Sequence, residues 1–463
     1  MSRVRRLVVA VWVLVAIAVP ATARSSVTAG DAVGNIDATG ASDVTADLQA
    51  MFDRTPDGGV VHLQAGGDYR VEGTLVLVDR HDLRIEGNGA RIFATTTGDI
   101  ERSHIRIIGG SGFDVRNLEI EGANPRAGLE EGAYQEHLEN QAGIRLDGVT
   151  DVELDRVHIH GVYGDLVLLT RHEEDRRWTE QVWIHDSTLT HSGRQGIAVV
   201  AGRDIVIERN TLAQMARATV DLEPNGRSWG AENIHILDNQ VGPGRLLFVA
   251  AGGGGPVNRV VIARNTLRGR PLNLWVIPGE DERRQRFWVV DNASDTLALD
   301  AALQFTRTDG VIAHGNRQPT DERFAFVEAT DSCDIAITEN DIAPSTRVLD
   351  GQSRQCNFIM PVQPPEPPPV AGRGQPPPPL PPTTAQPPPT TAPATTTSTE
   401  AAPPSSTSSA PSTEAPPLGT QLAASDTRAR DGVAGPVVVL AMVLAALAGA
   451  GCALAFSARR GRR

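Results

Sequence analysis

The segment Ile207-Glu208-Arg209-Asn210 recurs along the chain as Ile236-Leu237-Asp238-Asn239, Ile262-Ala263-Arg264-Asn265 and Val289-Val290-Asp291-Asn292. Shorter or weaker copies precede and follow it, from Val115-Arg116-Asn117 to Ile337-Thr338-Glu339-Asn340, and successive markers are never fewer than 24 residues apart. A minimum period with variable insertions predicts stacked coils of short strands and turns, repeating at the strand spacing of about 4.8 Å.

The recurring asparagine has a structural explanation. A tight turn between coils favours a left-handed backbone conformation, which asparagine tolerates, and stacked asparagine side chains can satisfy one another's hydrogen bonds. Leucine-rich repeats share this period but need a dense leucine signature, and a doubly wound α/β fold needs a series of helix caps; neither is present. We therefore predict an all-β fold, a right-handed parallel β-helix over residues 30–360.

The start of this region carries a resemblance to a known family. Ile36-Asp37-Ala38-Thr39-Gly40, then Leu48-Gln49-Ala50 and Gly58-Gly59-Val60-Val61-His62-Leu63, resemble the opening of pectate-lyase-like β-helix proteins. The resemblance covers residues 35–360 and implies a short amphipathic helix that caps the N-terminal end of the coil stack. Most members of that superfamily act on acidic or complex polysaccharides, which implies a polysaccharide or surface glycan as the partner.

The signatures of the known activities in that superfamily are missing. All 43 basic residues are arginine, so the Arg-x-Lys motif of polygalacturonase-like enzymes does not occur. The Asp-Pro-His motif of alginate-epimerase-like enzymes is also absent from the sequence, and no aspartate cluster of the calcium-dependent pectate-lyase kind is obvious. The resemblance therefore implies a fold and a class of substrate, and it transfers no reaction.

The N-terminus has the pattern of an export signal. Arg3, Arg5 and Arg6 precede an uncharged apolar stretch that ends at Ala21-Thr22-Ala23. This pattern predicts a signal peptide over residues 1–23, cleaved after the small residues, with an uncleaved signal anchor as the alternative.

The C-terminal part is typical of a tethered surface protein. Between residues 361 and 417 lie 21 of the 32 prolines, so we predict a disordered Pro/Thr/Ser-rich linker over residues 361–430. Residues 432–458 carry no charge and predict one transmembrane helix, followed by a basic cytoplasmic tail at 459–463. A sortase sorting signal shares this layout but lacks a good motif here. The β-helix is thus expected outside the cell, anchored by a single pass.

A second strand in each coil supplies the candidate site. We align Leu166-Val167-Leu168 with Ile197-Ala198-Val199, Val220-Asp221-Leu222, Leu247-Phe248-Val249 and Leu272-Asn273-Leu274. Because strand side chains alternate between faces, the outer members of each triplet are expected to point inwards. The expected outward row mixes carboxylate, amide and aromatic side chains: Asp221, Glu223, Phe248, Asn273 and Trp275. The turns before it hold Tyr163, Asp165, His191, Arg194, Gln195 and Arg217.

Insertions on both sides of this row predict a groove. Residues 122–141 enter before it, and residues 170–181, 224–232 and 279–286 leave after it. The outward side chains would then face a sugar chain, whose recognition uses carboxylates, arginines and aromatic rings. The expected substrate-binding residues are Tyr163, Asp165, His191, Arg217, Phe248, Asn273 and Trp275.

The expected catalytic residues are Asp221, Glu223 and Arg194. Asp221 and Glu223 leave one strand two residues apart and face the same way, so either can serve as acid or base. Arg194 is expected to reach Asp221 across one coil step and to hold a substrate carboxylate or neutralise developing charge. The alternative is an ordinary solvated strand face with a surface ion pair.

No metal site and no cofactor are predicted. His158 and His160 alternate on a strand like metal ligands, but paired outward histidines without a carboxylate partner are more often inert. The acidic run Glu173-Glu174-Asp175 is typical of a solvated loop rather than of a calcium site. A calcium ion is therefore possible in principle but lacks a supporting motif.

Two of the three cysteines are expected to form a disulfide. Cys333 and Cys356 are 23 residues apart, close to one coil, and each precedes an aligned strand by two residues. Equivalent positions in adjacent coils are about 4.8 Å apart, within reach of a disulfide. Two free buried thiols are the alternative. Cys452 lies in the predicted span and is left over.

Three functions fit this sequence. The first is a surface-tethered polysaccharide lyase or glycoside hydrolase, the second a non-catalytic carbohydrate-binding or adhesive protein, and the third a structural spacer without a ligand. The formal net charge of −13 argues against a nucleic-acid partner. We expect a monomer whose partners are a glycan and, through the C-terminal helix, the membrane.

Overall fold

The chain folds into a stack of about 11 coils in which every named strand pair is parallel. The structure is a computed structural model and describes residues 36–279, 282–356 and 360–370. The predicted signal peptide, transmembrane helix and basic tail lie outside these residues. Within the described part of the chain, no helix is both long and apolar enough to cross a membrane. The predicted right-handed parallel β-helix is confirmed.

Three faces of parallel strands enclose the core, with strands numbered in chain order. Sheet 1 contains β4 (Leu75–Val78), β6 (Ser103–Ile108), β8 (Ala142–Asp147), β11 (Asp165–Thr170), β14 (Ile197–Val199), β17 (Val220–Leu222), β20 (Val249–Ala251), β23 (Leu274–Val276), β26 (Leu303–Thr306) and β29 (Arg347–Arg354). Sheet 2 contains β2 (Val60–His62), β9 (Thr150–Asp155), β12 (Thr179–His185), β15 (Ala201–Glu208), β18 (Gly230–Leu237), β21 (Val257–Ala263), β24 (Arg284–Val290) and β27 (Thr308–His314).

Sheet 3 and three long strands complete the coils. Sheet 3 contains β1 (Thr39–Asp43), β3 (Asp68–Arg70), β10 (His158–His160), β13 (Thr188–Ser192), β16 (Thr211–Met215), β19 (Gln240–Val241), β22 (Thr266–Leu267) and β25 (Ala293–Ser294). The long strands β5 (Arg84–Phe93) and β7 (Ser111–Glu121) pair in both sheets 2 and 3, and β28 (Ala325–Thr338) pairs in sheets 1 and 2. Each coil visits the three sheets in turn.

The predicted N-terminal helix is present as α1 (Thr45–Arg54). It buries Leu48, Met51 and Phe52 in the main core. The Gln49 side chain both donates to the Val76 carbonyl at 2.8 Å and accepts from the Val76 N–H at 2.7 Å. Val76 belongs to β4, the first strand of sheet 1, so this amide satisfies backbone groups that an edge strand would otherwise leave open.

The asparagine series forms a buried ladder between sheets 2 and 3. Asn239 Oδ1 accepts from the Asn210 backbone N–H at 2.9 Å, and the Asn239 N–H donates in turn to Asn265 Oδ1 at 3.0 Å. One detail differs from the sequence-based expectation: Arg209, Asp238 and Arg264, each just before the asparagine, adopt the left-handed conformation. The asparagine itself faces inwards because its amide must reach the next coil.

The outer face of sheet 2 is apolar and covered. Trp183, Val206, Val261 and Trp288 belong to a second hydrophobic cluster, separate from the main core. Met360 and Val370 pack against this cluster, and Trp288 Nε1 donates to the Pro361 carbonyl at 3.0 Å. Residues 361–370, which the composition assigns to the linker, therefore lie on the β-helix surface.

The two cysteines of the last coils are bonded. Cys333 and Cys356 form a disulfide with their α-carbons 5.8 Å apart. Cys333 lies in β28, which pairs with both β27 and β29. The bridge therefore ties the end of the coil stack to the chain that leaves it.

Candidate functional site

The strands of sheet 1 turn one row of side chains away from the core. Asp221 pairs with Ala198 on one side and with Ala250 on the other, and Ala250 pairs with Trp275. Trp275 thus shares a row with Asp221 two coil steps away, at about 9.6 Å along the stack. The whole row reads Arg106, Arg145, Leu168, Ala198, Asp221, Ala250, Trp275, Gln304, Glu328 and Asp350.

The alignment made from the sequence is wrong in three coils. Ile197 pairs with Val167 instead of Leu166, and Val220 pairs with Val249 instead of Leu247. Phe248 therefore precedes its strand, and its side chain is fully buried in the main core instead of facing outwards. Leu168, expected inside, is partly exposed. The reason is that these triplets are apolar throughout, so no polar side chain marks which residues face outwards.

The predicted outward position of Asn273 is also wrong. Leu274, not Leu272, is in register at the start of β23, so Trp275 takes the middle position expected for Asn273. Asn273 Oδ1 accepts from the Phe248 backbone N–H at 2.8 Å, and its Nδ2 donates to the Leu246 carbonyl at 2.8 Å. This partly exposed amide completes the turn before the strand.

Arg194 is the centre of a charged cluster beside Asp221. Its guanidinium contacts Asp165 Oδ2 at 3.0 Å and Glu223 Oε1 at 2.5 Å, and its Nε lies 3.5 Å from Glu139 Oε2. Only 16 % of the Arg194 side chain is exposed. We call Glu139, Asp165, Arg194, Asp221 and Glu223 the Arg194 cluster.

Asp221 takes its hydrogen bond from a neutral side chain. Gln195 Nε2 donates to Asp221 Oδ2, while Gln195 Oε1 accepts from the Ala218 N–H at 2.6 Å. The predicted direct contact between Arg194 and Asp221 is replaced by the contacts of Arg194 with Asp165 and Glu223. Asp165 lies in the coil before Arg194, whereas Asp221, the expected partner, lies in the coil after it. Asp165 is only 1 % exposed, so its carboxylate is buried beside the guanidinium.

The cluster perturbs the protonation of its carboxyl groups. Burial raises the pKa of Asp165 to about 6, against the opposing effect of Arg194. Burial and the adjacent Glu223 carboxylate raise the pKa of Asp221 well above its usual value, although Arg194 opposes this. Burial disfavours the charge of Arg194, but Asp165 and Glu223 outweigh it and raise the Arg194 pKa. The pKa values of both buried carboxyl groups, Asp165 and Asp221, are thus raised, which favours their protonated forms.

The insertion at 122–141 forms one wall beside the cluster. It contains a short 3-10 helix, Glu136–Leu138. Tyr134 donates its hydroxyl to Glu139 Oε2 at 2.7 Å, and the Arg217 guanidinium lies 4.9 Å from the centre of the Tyr134 ring. Burial and the Glu139 hydrogen bond raise the pKa of Tyr134 to about 12. Glu139 and Tyr134, missed among the candidate site residues, join the site because an insertion folds back onto it.

Two of the insertions predicted to flank the row contact each other. Arg171 donates to Ser228 Oγ at 2.8 Å and lies 3.8 Å from the centre of the Trp229 ring. Trp178 Nε1 donates to the Ser228 carbonyl at 3.1 Å. The loops 170–181 and 224–232 therefore support each other at the end of sheet 1, as a groove wall requires.

Two further candidate residues lie away from the row. Tyr163 is 7 % exposed, so its ring is buried and not available to a ligand as expected. His191 is exposed but lies within β13 of sheet 3, and it lines an open depression of about 420 Å³ with Glu121, Asn124 and His160. The depression is beside the start of the 122–141 insertion and not over the Arg194 cluster.

Three groups of side chains in the described residues bring metal-ligating atoms together. Cys333 and Cys356 with Asp309 form one, but both sulfurs are used in the disulfide. Another is formed by Glu153, Asp155 and His185. The third contains Glu119, His158 and His160 and supplies the carboxylate that was not apparent from the sequence around the two histidines.

The comparisons with known proteins found similarity to solved structures alone. No protein-family model and no curated protein matches the chain. Among solved structures, the Azotobacter vinelandii mannuronan C-5 epimerase AlgE4 A-module is 16 % identical with a TM-score of 0.48, covering 69 % of this chain and 97 % of that one. The Streptococcus pneumoniae surface protein and adhesin PfbA is 14 % identical with a TM-score of 0.48, covering 68 % and 97 %.

A third solved structure is similar over a comparable length. DFA-IIIase from Arthrobacter chlorophenolicus A6, in complex with DFA-III, is 15 % identical with a TM-score of 0.47, covering 71 % of this chain and 85 % of that one. The likeness in each case is one of fold. The strand register of the chain itself establishes that it is a right-handed parallel β-helix repeat protein.

Proposed function

We propose that this chain is a surface polysaccharide-binding protein that cleaves glycosidic bonds, with Asp221 as the general acid and Glu223 as its partner carboxylate. The observation that carries the proposal is that two carboxyl groups with unlike partners lie two residues apart, Asp221 in β17 and Glu223 directly after that strand. Asp221 has a raised pKa and a neutral hydrogen-bond partner, whereas Glu223 is held by the Arg194 guanidinium. Glycoside cleavage needs this division between a protonated and an ionised carboxyl group.

The chemistry assigns one step to each group. The Asp221 carboxyl would protonate the oxygen of the scissile bond as the bond to the leaving sugar breaks. The Glu223 carboxylate would then act on the opposite side, either by attacking the anomeric carbon or by taking a proton from the attacking water. Arg194 holds the Glu223 side chain in place through their contact of 2.5 Å. Trp275 offers a ring on which a sugar farther along the chain can stack.

The charges of the row favour cleavage of a neutral glycan over elimination on a uronate. A lyase must neutralise the substrate carboxylate, but Arg194 is already engaged by acidic side chains of the protein. The arginines at the other end of the row, Arg106 and Arg145, are both paired with Asp147. Beyond Trp275 the row becomes acidic at Glu328 and Asp350, which would repel a polyanion.

The second candidate is a non-catalytic carbohydrate-binding or adhesive protein. The observation in its favour is that Asp221 is only 7 % exposed, so a ligand could rest on Trp275 without reaching the carboxyl. In that case the aromatic ring would matter for affinity and the carboxyl pair would not. The two candidates are therefore separated by comparing the same substitutions in binding and in turnover.

The test begins with a glycan array probed with the full chain, followed by product analysis on each glycan bound. We expect Asp221→Asn and Glu223→Gln to lower turnover by at least about a hundredfold while binding persists, and Trp275→Ala to weaken binding. Asp238→Asn is the matched control, because this carboxylate pairs with Arg264 on the surface of another face. Unchanged turnover in Asp221→Asn would exclude Asp221 as the general acid. Loss of binding in Trp275→Ala, on a glycan that the wild-type chain binds but does not cleave, would favour the adhesive function.

We also propose that the protein is exported and held at the cell membrane by residues 432–458. The proposal rests on the uncharged stretch, the arginines that follow it and the N-terminal signal pattern. The full chain should then fractionate with membranes and resist alkaline carbonate. Covalent linkage of the chain to the cell wall would instead favour processing of the C-terminus as a sorting signal.

A further inference from the structure

The outer face of sheet 3 brings a carboxylate to the two histidines of β10. His158 and His160 point the same way because they are two residues apart on one strand. Glu119 lies in β7, in register with His158 on the adjacent coil. Glu119 Oε1 is 3.0 Å from His160 Nε2 and 4.0 Å from His158 Nδ1. The three ligating atoms all lie within 4.8 Å of one another.

We propose that Glu119, His158 and His160 bind a divalent transition-metal ion of the Zn²⁺ class. Two imidazoles and one carboxylate are ligands that such ions accept, and they leave at least one coordination position open. With ligand bonds of about 2.0–2.1 Å, neighbouring ligand atoms around a tetrahedral ion are about 3.3 Å apart. His158 is 44 % and Glu119 36 % exposed, so both side chains have room to rotate toward an ion.

The charges around the three ligands allow a cation to bind. The nearest arginine in register with Glu119 is Arg91, and its charge is engaged by Asp68 at 2.9 Å and by Glu121 at 2.6 Å. The carboxylate oxygens of Glu119 and the imidazole nitrogens of the two histidines are the donor atoms that would bind the metal.

The surroundings provide access to the open coordination position. His160 also lines the open depression of about 420 Å³ described above, together with Glu121 and His191. Gly122, which follows Glu121, begins the 122–141 insertion that carries Tyr134 and Glu139 to the Arg194 cluster. A metal ion here would therefore lie beside the base of that insertion, on a different sheet from the proposed catalytic carboxyls.

The similar group at Glu153, Asp155 and His185 is a poorer metal site. Arg116 contacts Glu153 at 2.7 Å, Arg156 contacts Asp155 at 2.7 Å, and His185 is bonded to Asp186 at 2.7 Å. These cationic partners already neutralise the carboxylates. The group of Glu153, Asp155 and His185 thus serves as an internal comparison for the proposed metal site.

The test is titration of the chelator-stripped full chain with Zn²⁺, followed calorimetrically, and with Co²⁺, followed by its d–d absorption. We expect one equivalent of Zn²⁺ and a Co²⁺ spectrum that includes nitrogen ligation. The double variant His158→Ala/His160→Ala should lose both signals, and Glu119→Gln should weaken binding by more than the roughly tenfold that loss of an outer-sphere partner costs. Circular dichroism of each variant checks that the coils remain folded.

Two controls make the result decisive. His62→Ala removes an exposed histidine of β2 and should leave Zn²⁺ binding unchanged, and so should His185→Ala. Zn²⁺ binding that survives in the double variant, or that is lost in His185→Ala instead, would overturn the proposal. So would the absence of saturable Zn²⁺ binding by the folded wild-type chain.

Discussion

Asp221 shows at the residue scale how a buried carboxyl can serve function at the expense of stability. It is 7 % exposed, its neighbours in the row are alanines, and its hydrogen-bond donor is the neutral amide of Gln195. A neutral amide compensates the lost hydration of a charge far less than a guanidinium does. The carboxyl group is therefore most stable in its protonated form.

The pH dependence of stability tests this account of Asp221. Because its folded pKa is raised, its stabilising contribution is complete at low pH and is lost as the pH rises through the folded pKa. Asp221→Asn cannot ionise, so its free energy of unfolding should equal the wild-type value near pH 4 and exceed it at pH 8. Denaturant unfolding at both pH values measures this difference; an Asn variant less stable than wild type at pH 8 would contradict it.

Neutralising Glu223 should destabilise the protein, in contrast to neutralising Asp221, because the partner of Glu223 is the cationic Arg194. Glu223→Gln removes the charge that Arg194 contacts at 2.5 Å and should lower the free energy of unfolding by about 1–2 kcal/mol at pH 7. Arg194 keeps its contacts with Asp165 and Glu139, which limits the loss. Denaturant unfolding of Glu223→Gln and wild type at pH 7 tests this prediction. A variant more stable than wild type would mean that the ion pair between Arg194 and Glu223 does not stabilise the site.

At the scale of structural elements, the asparagine ladder holds sheets 2 and 3 in register. Asn239 accepts two hydrogen bonds from Asn210, and its Nδ2 donates to the Ile207 carbonyl at 3.0 Å and to Asn265 Oδ1 at 2.9 Å. Each rung thus satisfies backbone groups of two coils in a place where water has no access.

Removing one rung should therefore be costly. Asn239→Ala leaves buried donors and acceptors of Asn210, Ile207 and Asn265 unsatisfied and should lower the free energy of unfolding by about 2–4 kcal/mol. Gln240→Ala, at the exposed next position, is the matched control and should change it by less than about 0.5 kcal/mol. Equal effects of the two substitutions in denaturant unfolding would show that the ladder is not what couples the coils.

At the scale of the whole molecule, the chain leaving the last coil covers part of the β-helix that precedes it. The second hydrophobic cluster lies outside the core, and residues 360–370 close it through Met360, Val370 and the Trp288 hydrogen bond. The composition assigns this segment to the linker because the segment is rich in proline. Proline is nevertheless suited to an extended strand that lies on a surface and donates no hydrogen bonds.

Substitution of the two valines of this segment tests the covering role in the full chain. Val370 is 7 % exposed in the cluster, whereas Val362 is 46 % exposed. Val370→Asp should lower the midpoint of thermal unfolding and increase protease cleavage between residues 360 and 370, because a charge cannot be buried among apolar side chains without cost. Val362→Asp should behave as wild type; identical cleavage in the two variants would show that the segment does not pack on sheet 2.

The sequence alone determined the repeat and the parallel β-helix, and the resemblance of its first residues to pectate-lyase-like proteins implied the capping helix α1. The repeat and the fold depend on local patterns: a period of at least 24 residues, alternating apolar residues, and an asparagine at a recurrent position. These patterns act within one coil, so they can be recognised without knowing what lies next to it. The outward direction of Asp221 and of Trp275 also follows from alternation within each strand, although the sequence alignment placed Asn273, not Trp275, level with Asp221.

Only the tertiary structure decided which residues of different coils touch. Insertions of different length separate equivalent positions, so Glu119 and His158, 39 residues apart in the sequence, become direct neighbours. The same uncertainty of register led to the wrong outward placement of Phe248, whose strand is apolar on both faces. Arg194 hydrogen-bonds to Asp165 and Glu223 instead of Asp221. The backbone pairing between coils sets which side chains lie within reach of its guanidinium, and that pairing cannot be seen in one coil alone.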